Sequence, residues 1–279
     1  MTRKNKKGST GDDSLRRRKQ LPAVPPGSIK NLIVIGTSAG GHSALKEVLR
    51  DLPQDIPAAL IILQHMWSTR SSTAAKFSLN DWLQQATRIP VVQASDGERL
   101  RMHVVYVVPP GMSVTLDAGM LHIESYDRRS GPVRTINILF ESAAKAFGDR
   151  VTGVILTGLL SDGTVGLKAV HDAGGLAIVQ DPAEAEYPDM PASAMKNLPV
   201  TFCLRLLDIG LALDLLARRR ARLETGLAVS VRTLKERVEL LVRLLGQSKR
   251  NPKAYRFLST ELAALRLDLH SIQRLLDLA

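Results

Sequence analysis

The stretch NLIVIGTSAGGHSALKEVL, residues 31–49, breaks an apolar run at Gly36, sets Ser38 in a short turn, and starts a helical pattern after Gly40 and Gly41. Strand, glycine turn, helix is the geometry that brings a ligand or a reactive side chain to a helix N-terminus at the carboxyl edge of a parallel sheet. A dinucleotide fold would need G-x-G-x-x-G here and an acid closing the next strand. The chain instead has Ser38 at the middle glycine, and Gln64 and His65 close the next strand. That reading fails twice. No G-x-x-x-x-G-K-[ST] occurs either, so a P-loop is excluded. Gly36-Thr37-Ser38-Ala39-Gly40 does fit G-x-S-x-G, in which small neighbours let a strained turn lift the serine Oγ clear of the sheet. On this stretch alone, a plain turn serine is the alternative.

A serine nucleophile needs a base, and the base needs an orienting acid. His65 ends the apolar run AALIILQHM, which places it on the same edge as Ser38 if the two strands are parallel. His103 and His122 flank a hairpin pattern, His171 and His270 lie in helical patterns, and His42 falls in the first helical turn after Ser38. Asp162 sits in the glycine-flanked loop of VTGVILTGLLSDGTVGLKAV, residues 151–170. An Asp before Gly is also a common turn or N-cap residue. Yet three strand ends then deliver Ser, His and Asp to one edge of one sheet. The order Ser38…His65…Asp162 differs from the Ser…Asp/Glu…His order of the α/β-hydrolases, so a different serine-hydrolase lineage is expected.

Around this core the chain is an α/β protein. NLIVIG, AALIILQ, HVVYVVP, VTGVILTG and LAIVQ are short β-branched apolar runs, most of them followed by helical segments such as HSALKEVLRDL, INILFESAAKAFG and TVGLKAVHDAGG. Strands apolar on both faces predict a doubly wound, mostly parallel, Rossmann-like sheet with helices on each side over residues 31–210. SVTLDAGMLHIES, with DAG between two alternating runs, predicts one β-hairpin. From residue 211 the period changes. Leu227, Val231, Leu234, Val238, Leu241 and Leu245 recur at spacings of four and three, and Tyr255, Leu258, Leu262, Leu265, Leu269, Ile272 and Leu276 resume the repeat after GQSKRNPK. This predicts a helical hairpin or coiled coil over 211–279, either packed back on the domain or used through 217–279 for self-association or a partner helix.

Charge divides in the same way. The net charge of +11 comes from +7 in residues 1–30 and +8 in 217–279, whereas 31–216 carries −4. Residues 1–30 read as a disordered basic tail and linker, with an arm that docks on an anionic partner as the alternative. Aromatics make up 4% of the sequence and do not interleave the basic runs, so no specific nucleic acid is expected. One cysteine, Cys203, excludes a disulfide framework and a multi-cysteine metal site. No apolar run reaches the length of a membrane span, and no secretory signal is recognised, which implies a soluble cytoplasmic protein. No cofactor or metal motif is present, and none is expected.

The motifs VIGTSAGG, IILQHM, ASDGERL, VYVVPPG, GVILTGLLSDGTVGL and QDPAEAEYPDMPASAM occur in one order across residues 31–210. In that series the chain resembles the catalytic domain of the bacterial chemotaxis receptor methylesterases of the CheB type. The resemblance implies a protein-glutamate methylesterase acting on glutamate γ-methyl esters of methyl-accepting receptor cytoplasmic helices, with deamidation of receptor glutamines as a second activity. It implies Ser38 as nucleophile, His65 as general base and acid, and Asp162 as the orienting carboxylate. Main-chain N–H groups of Ala39 and Leu159 are the candidate oxyanion hole. The chain departs from the usual pattern at Ala39, Leu159, Leu160 and Ser161, and at Asn137, where an Asp is common. The family's usual form also carries an N-terminal receiver domain. With thirty residues ahead of the motif series, the expectation is an enzyme ungated or gated by other means. Two further readings stay open at this point: a non-catalytic signalling adaptor assembled through the C-terminal helices, and an esterase or amidase on another protein.

Overall fold

Strand β1 (Leu32–Thr37) is buried at every residue. Leu32 and Val34 enter the core on one face, and Ile33 and Ile35 enter a second core on the other. A strand with no polar face is stable only inside a sheet covered on both sides, so this alternation dictates three layers. The computed structural model describes residues 29–65, 78–126, 134–247 and 252–277, and in it β1 is the central strand. The basic run of residues 1–28 lies outside the described residues.

The sheet has seven strands in the order β3-β4-β2-β1-β7-β8-β9. These are β2 (Ala59–Gln64), β3 (Val91–Gln93), β4 (Val104–Val107), β7 (Val151–Ile155), β8 (Leu176–Gln180) and β9 (Phe202–Leu204), and every pairing is parallel. On one face lie α3 (Thr135–Phe147), α4 (Thr164–Asp172) and α5 (Asp189–Asn197), contributing Leu139, Phe140, Leu167 and Met190 to the first core. On the other lie α1 (Gly41–Arg50), α2 (Leu79–Gln84) and the start of α6, contributing Leu45, Leu49, Leu83, Ile209 and Leu213. Each such aliphatic side chain contributes about 1.5–3 kcal/mol when fully withdrawn from water. The doubly wound α/β fold expected from the sequence is the observed one. The hairpin is also as read: β5 (Met112–Asp117) pairs antiparallel with β6 (Met120–Ser125). Ala118 and Gly119 between them have φ of 45° and 79°, the two left-handed positions that a two-residue I′-type loop requires.

Helix α6 runs unbroken from Leu206 to Gln247, 42 residues. Its first turns belong to the domain core. A Cβ at Gly210 would lie 2.7 Å from the Val48 carbonyl, so a glycine there lets α6 settle directly on α1. Arg218 pairs with Asp55 at 2.7 Å and with Asp214 at 2.9 Å, and Asn31 Nδ2 donates to the Ala217 carbonyl at 3.2 Å. Beyond this point α7 (Pro252–Asp277) packs on α6 after a four-residue connection, with Leu262 and Leu265 buried. Residues 210 and 211, between which the sequence changes period, both lie within α6. Of the repeat residues, Val231, Leu234, Val238, Leu241, Leu245, Leu258 and Leu269 are half-buried. The side chains of Leu227, Tyr255, Ile272 and Leu276 lie outside the described residues. Among the described residues no helix is long and apolar enough to cross a membrane.

Candidate active site

The strand order turns outward in both directions from β1, so the crevice beside its carboxyl end is the topological switch point where open α/β sheets bind ligands. Ser38 is the first residue past β1. Register Thr37↔Gln64 puts His65, the first residue past β2, directly beside it, and His65 N–H donates to the Thr37 carbonyl at 3.0 Å. On the other flank, Ser38 N–H donates to the Thr157 carbonyl at 3.1 Å, just past β7. The serine turn is thus clamped between the two neighbouring strand ends. Gly40, with φ 74°, makes the left-handed step from turn into α1. Gly158 is required by space alone: a Cβ there would lie 2.1 Å from Met190 Sδ and 2.9 Å from Ser38 Cβ.

Asp162 reaches the same edge from the loop between β7 and α4. Its Oδ2 lies 3.0 Å from His65 Nε2 and accepts the Ile136 N–H at 3.0 Å, while its Oδ1 accepts the N–H groups of Asn137 and Gly163 at 3.1 and 2.8 Å. The carboxylate is 8% exposed, yet it is held by three main-chain donors and by the positive end of α3, whose own N-cap side chain makes no capping bond. Thr135 Oγ1, buried, is the second partner of His65 Nε2 at 3.0 Å. An ionised carboxylate only accepts, so Asp162 fixes the imidazole hydrogen on Nε2 and leaves Nδ1 bare to take a proton. Ser38 Oγ forms no hydrogen bond with the described residues. Of the three expected side chains, His65 and Asp162 are therefore in contact and Ser38 is the strand neighbour of His65.

The N–H groups of Ala39 and Leu159, the expected oxyanion donors, meet no acceptor among the described residues. Ala39 follows Ser38 and Leu159 follows Gly158, two residues packed against each other, and neither N–H depends on the identity of its side chain. Asn137 is not idle at the place where an acid is common. Its Oδ1 accepts the Gly166 N–H at 2.8 Å inside the core, which an amide does without adding a second negative charge beside Asp162.

Thr135 was not singled out from the sequence, although a threonine opening an apolar helical run is a recognisable helix-start signal. His42 also has a role the sequence hid. It receives Gln64 Nε2 at Nδ1 over 2.7 Å and packs edge-on to Trp82, and burial lowers its pKa below the ordinary 6.5. Gln64 Oε1, one residue before His65, is buried without a partner. Desolvation and the nearby Asp181 and Glu184 push the thiol of Cys203 upward. Among the described residues no group of three or more His, Cys, Asp or Glu is placed to hold a metal ion.

The model of the CheB methylesterase family matches residues 33–213. The chain belongs to the CheB methylesterase family. Its relatives are hydrolases by name. A protein-glutamate methylesterase/protein-glutamine glutaminase of Anaeromyxobacter dehalogenans is 34% identical over 206 residues, covering 72% of this chain and 58% of that protein. A Leptospira interrogans protein, provisionally given the same description, is 37% identical over 178 residues, covering 62% of this chain and 88% of its own length. The crystal structure of the Thermotoga maritima CheB methylesterase catalytic domain superposes with a TM-score of 0.58 at 26% identity, over 67% of this chain and 98% of that one. The CheB match ends at residue 213, within the buried first turns of α6; the rest of α6 and all of α7 lie beyond it.

Proposed function

We propose that this chain removes γ-methyl esters from glutamates on chemotaxis-receptor cytoplasmic helices, and deamidates receptor glutamines by the same route, through an acyl-enzyme on Ser38. One observation carries the assignment of roles: a buried carboxylate at the N-terminus of α3 holds His65 Nε2 at 3.0 Å, beside the serine that follows β1. His65 Nδ1 takes the Ser38 proton as Oγ adds to the ester carbonyl. The oxygen that becomes negative lies between the Ala39 and Leu159 N–H groups, which stand ready without reorganisation. The imidazolium then gives its proton to the departing methoxide, releasing methanol. Water, deprotonated by the same nitrogen, attacks the acyl group and frees the glutamate carboxylate and Ser38. For an amide the sequence is identical, with ammonia leaving.

The family and the names of its relatives support this substrate class. Residues 217–279 are proposed as the place of self-association or of a partner helix, because Leu240, Val242 and Leu267 stay exposed on the α6–α7 pair. The assignment of the nucleophile is tested with a fluorophosphonate. The full chain should be labelled once, at Ser38, and the His65→Gln chain labelled far more slowly. Labelling at equal rate in the two would show that His65 is not the base.

A further inference from the structure

Four large apolar side chains on the elements that meet beside the site stand in water: Leu159 at 49% exposure, Leu160 at 79%, Val165 at 53% and Met195 at 43%. They come from three segments, the β7–α4 loop, α4 and α5. A 3.0 Å bond between Thr164 Oγ1 and Ser193 Oγ ties the start of α4 to α5, one residue from Val165 and two from Met195. The patch begins at the nucleophile, because Leu159 follows the glycine that packs on Ser38 Cβ. Soluble surfaces scatter single apolar residues freely, but a group of this size beside a reactive serine marks a binding site.

Leu160 is the decisive residue. Its φ is 67°, a left-handed conformation that bulky side chains enter only at a cost. Asp189 Oδ2 accepts the Leu160 N–H at 3.3 Å and helps hold it there. The most exposed large apolar side chain among the described residues is thus kept in an unfavourable backbone state, beside the site and not in the core. Packing cannot be its reason, since the side chain packs on almost nothing.

We propose that Leu159, Leu160, Val165 and Met195 dock the apolar edge of an amphipathic substrate helix, and that Leu160 determines which helices are accepted. The inference rests on the reading that the ester is carried by a helical protein. The occupant follows from position: whatever presents an ester to Ser38 must lie over this patch, and a small free ester would leave it wet. On a helix, apolar residues three and four positions from the modified glutamate lie about 5–6 Å away, within reach of a rim that starts at Leu159. Charges of both signs border the patch, with Glu186 and Asp189 on the serine side and Lys196 next to Met195, which suits the mixed polar face of such a helix.

The test measures binding without turnover. The full chain carrying Ser38→Ala is titrated with a fluorescent methylated receptor cytoplasmic fragment, alone and with Leu160→Asn or Leu160→Met added. Asparagine accepts the left-handed backbone, so the loop keeps its shape while the apolar contact is lost. The expected result is a Kd weakened by about tenfold or more with Asn, the loss anticipated for one buried leucine, and restored to near the parent value with Met. Thermal midpoints should stay at or above the parent's. Equal binding by the Asn chain would overturn the proposal, as would a fall in its midpoint that Met shares. So would a parent chain that does not bind the fragment, or one that sediments as a dimer which Leu160→Asn dissolves, since the patch would then serve a second copy. Fluorophosphonate labelling of the wild-type chain is read separately: an unlabelled Ser38 would defeat the reading of the active site, whatever the titration shows.

Discussion

At the scale of single residues, the site is arranged around one nitrogen. His65 Nε2 faces both Asp162 and Thr135 at 3.0 Å, which leaves Nδ1 for the proposed role of base. Replacing His65 with Gln removes that atom, and kcat/KM for the methylated fragment should fall by about 10⁴-fold with the thermal midpoint little changed. Asp162→Asn should behave differently, because Asp162 also accepts three main-chain N–H groups. It should cost comparable activity and, with fewer acceptor sites for buried donors, about 1–3 kcal/mol of stability in a denaturant titration. His42 gives a pH signature. Burial depresses its folded pKa below the ordinary 6.5, so the unfolded chain binds the proton more readily. This term is neutral above 6.5 and removes stability as pH falls from there toward the folded value. Unfolding free energy followed from pH 8 to 5 should lose part of its slope in His42→Gln, and an unchanged slope would contradict the role of the partly desolvated imidazole.

At the scale of elements, the sequence made some features plain and hid others. The positions of Ser38 and His65 were readable because each follows a strand whose apolar run is unmistakable, and that of Asp162 because glycines flank its loop. The hairpin was readable because Ala118 and Gly119 take the two left-handed positions between alternating strands. Strands β3 and β9 were not, since three residues each at the sheet edges leave no periodicity to detect. Thr135 escaped because its partner lies 70 positions away, on another strand end. The Gly166 N–H is likewise bound by Asn137 across 29 positions, a tie between α3 and α4 that no local pattern encodes. Asn137→Ala leaves that buried N–H without an acceptor and should cost about 1–3 kcal/mol in a urea titration, with activity following stability.

At the scale of the whole molecule, one helix belongs to two regions. The first turns of α6 bury Ile209, Leu213 and Ala217 in the domain, and at about 1.5 Å per residue the helix then continues for roughly 45 Å with α7 alongside. A chain ending after Arg222 keeps the core turns and the Arg218–Asp55 pair, so it should fold with a near-parental midpoint. If residues beyond 222 drive self-association, sedimentation should show fewer protomers per particle in the shortened chain, and an unchanged number would place the contact elsewhere. The period change in the sequence announced these helices, but not that the first of them begins inside the core, because Leu206 to Ala217 follows one helical stripe into the next without a break. The proposed function makes Ser38 the nucleophile of a protein-glutamate methylesterase. It is tested most directly by methanol release from methylated receptor cytoplasmic fragments, comparing the full chain with Ser38→Ala. The full chain should release methanol and Ser38→Ala no more than the fragment alone; equal release from both would overturn the assignment of the nucleophile.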